Sequence, residues 1–232
     1  MFLIKLILAH IIGDFFLQKN NWIESKEKKT WRSGALYGHV LIHFLLILLI
    51  FYDLSLWPLA LIIAATHFLI DLTKLTFQRK GTRHIWFVAD QVAHLLVLVV
   101  VWFLYTEPQV TVDFSNSFWV ILTGVLILTY PSAYTIENLM APWSREIDES
   151  NRSTLSQAGL YIGILERIFT YVAVLIGSFS IIGFLLAAKS VFRFGDLRKA
   201  DDRTLTEYVL IGTMISFLIA FLTGLATRWL LH

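Results

Sequence analysis

Eight apolar runs dominate this chain, at approximately 1–18, 33–52, 57–76, 86–105, 118–140, 157–177, 179–194 and 205–229. A bilayer core about 30 Å thick takes ~20 residues of helix to cross, and lipid offers the backbone no hydrogen-bond partners, so each run must satisfy its own N–H and C=O groups as a helix. Eight such runs in 232 residues leave room for little else. Composition agrees, with 57% apolar and 16% charged side chains and a mean hydropathy of +0.69; soluble domains run near half and a quarter. The expected fold is all-α, a polytopic membrane bundle of eight transmembrane helices. A water-soluble globule, a disordered chain and a coiled coil are excluded. A net charge of +2 argues against nucleic acid as a partner, and the absence of cysteine excludes disulfides, thiolate ligands and a cysteine nucleophile. The first run has no basic n-region and no A-x-A site, and it carries His10 and Asp14, so it reads as a retained span rather than a signal peptide.

Positive charge sorts the connections. Segments 19–32, 78–84, 141–156 and 193–203 carry Lys and Arg, among them Lys26, Lys28, Arg32, Arg83, Arg145 and Arg198. The alternate connections, 53–56, 106–117 and the 177–180 turn, carry none. Cytoplasmic loops attract Lys and Arg, so both termini are expected outside the cytoplasm. Trp22, Trp31, Trp86 and Trp143 then fall at the inner boundary, and Trp57, Trp102, Trp119 and Trp229 toward the outer one. A single helix over 157–194 would be too long, so a hairpin is expected at Gly177-Ser178-Phe179-Ser180, and Pro131 is expected to kink the fifth span. The longest outer connection, with Pro108, Asp113 and Asn116, divides the chain into a four-helix half at 1–105, an outer loop at 106–117 and a second four-helix half at 118–232.

In the first half, polar residues recur in pairs four apart: His10 with Asp14, His39 with His43, His67 with Asp71, and Asp90 with His94. The motif Ala9-His10-Ile11-Ile12-Gly13-Asp14 returns as Thr66-His67-Phe68-Leu69-Ile70-Asp71, so a helical hairpin with two such pairs occurs twice. Residues four apart share a helix face one turn apart. Counted from the inner end of each span at 1.5 Å per residue, all four pairs lie some ~6–14 Å below the cytoplasmic surface. A lone histidine or aspartate in a membrane helix is most simply a hydrogen-bonding residue between helices. Eight at one depth, including five of the seven histidines, are a site. Imidazole and carboxylate are ligands of zinc, manganese and iron. One or two divalent ions are therefore expected on His10, Asp14, His39, His43, His67, Asp71, Asp90 and His94, with zinc first among them and any surplus donors orienting the ligands.

Other buried charges stand nearby in sequence or in the second half. Lys74, Arg167 and Lys189 are candidates to hold an anionic substrate; the plainer alternatives are a Lys74–Asp71 pair, internal ion pairing of Glu166 and Arg167, and snorkelling of Lys189. There is no GxGxxG, P-loop, GxSxG or HExxH, so nucleotide folds, serine hydrolases and zincins find no support.

The run Ala9-His10-Ile11-Ile12-Gly13-Asp14-Phe15-Phe16-Leu17-Gln18, followed by His39-x3-His43, His67-x3-Asp71-x2-Lys74 and Asp90-Gln91-x2-His94, resembles an uncharacterised family of bacterial membrane proteins, a domain-of-unknown-function family found in some genomes beside SatD-like proteins. Leu165-Glu166-Arg167, Ala188-Lys189-Ser190-Val191-Phe192-Arg193-Phe194 and Glu207-Tyr208-Val209-Leu210-Ile211-Gly212-Thr213 resemble its longer members. The resemblance implies a bacterial inner membrane and supplies no activity. A more distant similarity is to bacterial inner-membrane proteins described as metal-dependent hydrolases, which also carry intramembrane His and Asp motifs.

The leading expectation is a metal-dependent hydrolase acting at the cytoplasmic side on an amphiphilic phosphate or ester, such as a membrane lipid or lipid-like molecule. Asp90 or Asp14, if left outside the ligand set, would be the general base. The rivals are a divalent-metal transporter, and a metal-stabilised scaffold or sensor for a soluble partner. Transport sites usually lie near the midplane between broken repeats, and this one is displaced to one side.

Overall fold

A computed structural model describes residues 1–106, 117–141, 156–193 and 202–231. Every element among them is helical. The expected outer loop with Pro108, Asp113 and Asn116, and inner-boundary residues Trp143, Arg145, Arg152, Arg198 and Lys199, lie outside the described residues. The chain divides into two compact units, Met1–Trp119 and Val120–His232.

The first unit contains α1 (Phe2–Ile11), α2 (Asn20–Lys29), α3 (Gly34–Phe51), α4 (Trp57–Phe77) and α5 (Arg83–Tyr105). Helix α1 packs on α3 and α5, α3 on α4, and α4 on α5, closing a ring of four. At its C-terminus α1 widens into a π turn, Ile12–Leu17, which carries Asp14. Tyr52, at φ 52°, ends α3 in the left-handed region. The Asp53 carboxylate then accepts from Ser55 N (2.9 Å) and Ser55 Oγ (2.7 Å), which turns the chain into α4. Pro58 sits in the first turn of α4, where a missing N–H costs nothing. Segment 19–32, expected as a basic loop, instead holds α2. Trp22 on α2 reaches Gly38 of α3, and Lys26, one turn along the same face, is buried.

The ring is layered by its four-residue register. Leu6, Ile47, Ile63 and Leu98 each stand one further turn beyond His10, His43, His67 and His94 on the same helices. All four are buried in one apolar cluster with Leu59 and Ala60. Beyond them Phe2 meets Phe51 with ring centroids 4.6 Å apart. One end of the ring is thus polar and the other closed by hydrocarbon.

The second unit takes most of α6 (Ser117–Ile127), then α7 (Tyr130–Met140), α8 (Ser156–Leu175), α9 (Phe179–Arg193) and α10 (Asp202–Leu231). Leu128, Tyr171 and Ala220 form its core. The Tyr171 hydroxyl donates to Thr227 Oγ1 at 3.1 Å. It lies against Gly124, where any Cβ would collide with it. Gly177, at φ 74°, turns the chain between α8 and α9. The fifth apolar run is interrupted by a turn at Leu128-Thr129, just before Pro131.

Among the described residues, five helical segments are long and apolar enough to cross a membrane: Gly34–Phe51, Leu54–Phe77, Arg83–Tyr105, Ser117–Met140 (α6 with α7) and Glu207–Leu231. The other three apolar runs, in α1, α8 and α9, are helical but lie outside that set.

Candidate metal centre

The four polar pairs meet at the polar end of the ring. Each of α1, α3, α4 and α5 contributes one residue to each of two layers. Asp14, His39, Asp71 and Asp90 form the layer nearer the helix ends, and His10, His43, His67 and His94 the layer one turn deeper. The imidazoles stack closely, with centroids 3.9 Å apart for His43 and His67, 4.0 Å for His67 and His94, and 5.0 Å for His10 and His94. All five histidines are buried, as are Asp71 and Asp90.

Asp14 stands at the centre. Its Oδ1 lies 3.0 Å from His43 Nε2, 3.3 Å from His39 Nε2 and 3.5 Å from His67 Nε2. Its Oδ2 lies 3.7 Å from His10 Nε2 and accepts from Gln91 Nε2 at 3.1 Å. The close approach of α1 and α3 depends on Gly13, since a Cβ there would run into the His43 ring. His67 Nε2 is also 3.0 Å from His39 Nε2. Two imidazole nitrogens at that distance must share a proton or a cation.

Two lysines close the polar end. Lys26 Nζ donates to Asp71 Oδ2 at 2.7 Å, and Lys74 Nζ donates to Asp90 Oδ2 at 2.9 Å. Lys74 therefore pairs with Asp90 and not with Asp71, because the partner that α2 brings has taken Asp71. Three carboxylates against two ammonium groups leave one negative charge when the imidazoles are neutral. Buried in apolar surroundings, that charge draws a cation.

Among the described residues, three overlapping groups could hold a metal ion: His10, Asp14, His43 and His67; then His39, His67 and Asp71; then Asp71, Asp90 and His94. Within each group the ligand atoms all lie within 4.8 Å of one another. Each of the eight residues singled out from the sequence belongs to one of these groups.

Lys26 and Gln91 were not among the expected site residues. Gln91 stood in the motif beside Asp90, and its amide bridges Asp14 and Asp90, with Nε2 3.3 Å from Asp90 Oδ2. For Lys26 the signal was its spacing from Trp22, four residues apart on one helix face. Arg167 and Lys189 belong to the second unit, where both are engaged. Lys189 Nζ donates to Glu166 Oε2 at 2.6 Å. Arg167 donates through Nε to the Leu128 carbonyl (2.6 Å), through a terminal nitrogen to the Thr129 carbonyl (3.4 Å), and to Ser216 Oγ (3.2 Å).

A ring of apolar helices enclosing a histidine and aspartate cluster defines the class: an α-helical protein with helices able to cross a membrane and, in its first unit, a constellation that could hold a metal ion. Residues 2–123 match the family model described as Protein of unknown function (DUF3307), and the chain belongs to that family. The matched segment takes in all eight residues of the cluster with Lys26, Lys74 and Gln91, and ends before α7. No curated protein matches, and no solved structure does.

Proposed function

We propose that the first unit is a zinc-dependent hydrolase set in the cytoplasmic membrane, working from the cytoplasmic side on an amphiphilic phosphate or ester. One observation carries this most directly: His10, His43, His67 and Asp14 offer three imidazole nitrogens and one carboxylate oxygen within 4.8 Å of one another. Three of these donors, with the fourth position left to water, would make a catalytic zinc site. A zinc ion with one exchangeable position brings the pKa of its water toward neutrality and polarises a substrate oxygen.

The surrounding residues suit that chemistry. His39 touches both Asp14 and His67, and so orients two members of the set. Lys74 is the more exposed of the two lysines, its side chain at 24% against 6% for Lys26. With one N–H on Asp90, it retains two for a phosphoryl or carboxyl oxygen. The apolar layer of Leu6, Ile47, Ile63 and Leu98 supports a resident ion over a transported one, since a carrier needs a route past it. The Lys- and Arg-bearing segments 19–32 and 78–84 flank the polar end, which favours a cytoplasmic-facing site with both termini outside. Eight crossings are part of the same proposal.

The test is reconstituted protein incubated with cellular lipid extract, with and without chelator, and products followed by mass spectrometry. Metal-dependent turnover that is absent in His67→Ala supports the proposal. Zinc or manganese moving into sealed vesicles without turnover would establish the carrier instead.

A further inference from the structure

We infer that the cluster holds two ions of different chemistry, the second on Asp71, Asp90 and His94. This rests on the metal-binding part of the proposal above and deepens it.

The tautomer of His94 is the starting point. Its Nδ1 lies 2.9 Å from the backbone carbonyl oxygen of Asp90. A carbonyl only accepts, so Nδ1 carries the proton and Nε2 presents a bare lone pair. That Nε2 is buried and has no hydrogen-bond partner, and Asp90 Oδ1 is in the same condition. The carboxylate atom facing His94 Nε2 is Asp71 Oδ1, 4.0 Å away, which is another acceptor. Asp71, Asp90 and His94 thus converge, one ligand atom of each lying within 4.8 Å of the others, and neither orphan has a proton donor. Acceptors buried in this way are completed in native proteins by a donor or a cation, and with two carboxylates beside the imidazole a cation suits the set.

The lysines do not fill that place. Lys26 and Lys74 hold the opposite oxygens, Asp71 Oδ2 and Asp90 Oδ2. Each ammonium fixes its carboxylate and turns the remaining Oδ1 inward, the arrangement by which outer partners orient metal ligands. Gln91 adds a second donor to Asp90 Oδ2 and none to Oδ1.

The two positions differ in ligand type. Three nitrogens and one oxygen around Asp14 favour zinc, whereas one nitrogen and two carboxylate oxygens favour a harder ion such as manganese. They adjoin, since His67 Nε2 of the first lies 3.9 Å from Asp71 Oδ1 of the second. Neighbouring ions of this kind engage two oxygens of one phosphoryl group, so the substrate class narrows from phosphate or carboxylic ester to a phosphate ester. Asp90 then serves as a ligand and not as the general base.

The experiment is a metal titration of chelator-stripped full-length protein in detergent. Zinc and then manganese are added, bound metal is counted by mass spectrometry, and bound manganese is read by electron paramagnetic resonance. The expected result is one zinc and one manganese per chain. Manganese binding should weaken by about tenfold or more in His94→Ala and Asp90→Asn, with zinc retained. Zinc should be lost in His43→Ala. A single zinc with no protein-bound manganese signal overturns the second site and leaves the first standing. Manganese binding unchanged in both variants also overturns it. No bound ion of either kind in the wild-type chain overturns both. The wild-type titration decides between these outcomes even if a variant fails to fold, and retained zinc reports that a variant has folded.

Discussion

Gly13 is the smallest residue in the centre and one of the least replaceable. Its position against the His43 ring leaves no room for a methyl group. Gly13→Ala should push His43 away from Asp14 and cost about 1–3 kcal/mol through overpacking. Zinc affinity should fall with it, by about tenfold or more, as isothermal titration would register. His67 belongs to two of the three ligand groups. His67→Ala should therefore reduce metal content more than His39→Ala, and melting temperature in detergent should fall in the same order, because ligation and folding are linked. Equal metal content in the two variants would remove His67 from its central place. The eight residues of the cluster were legible in the sequence because the four-residue register brings each pair to one side of its helix, and even the π turn that carries Asp14 keeps it near His10. Lys26 was not legible in the same way. Charge alone reads a run such as Glu24-Ser25-Lys26-Glu27-Lys28-Lys29 as solvated, and only the packing of α2 on α3 turns Lys26 inward while Lys28 stays exposed.

The break between α6 and α7 is the feature of helical elements that most needs explanation. Pro131 has no N–H, so the Ile127 carbonyl cannot be satisfied in the usual way. Ser132 Oγ donates to it at 2.7 Å. The Leu128 carbonyl accepts from the Arg167 guanidinium, which also reaches the Thr129 carbonyl beside its bond from Ala133 N. A planar fork of donors fits two adjacent carbonyls better than an ammonium does. Arg167→Met should destabilise the protein by about 1–3 kcal/mol, Arg167→Lys should recover only part of that, and Ser132→Ala should cost about 1 kcal/mol. Thermal unfolding in detergent ranks the three, and a neutral Arg167→Met would mean that water or lipid serves the break equally well. Proline marked this site in the sequence. Its partner was hidden, because Arg167 is 38 residues from Thr129 and bonds to backbone, which side-chain patterns do not encode. The apolar runs themselves were legible to within a few residues, since lipid-spanning length and hydropathy leave helix as the one local solution.

For the whole molecule, orientation is the property that the distribution of Lys and Arg predicts. A cysteine in place of Lys28 should react with an impermeant maleimide only from the cytoplasmic side, and one in place of Tyr52, which is 94% exposed, only from the other. The opposite labelling would put the centre in the outer leaflet. The hydrocarbon layer of Leu6, Ile47, Ile63 and Leu98 has a kinetic corollary. Among the described residues it closes one end of the ring, so on the function proposed above metal, water, substrate and product would all pass the end where Lys26 and Lys74 stand. On that proposal, an outgoing anion would obstruct the next arrival. An impermeant chelator should accordingly strip the metal from one face of a sealed vesicle and leave it untouched from the other.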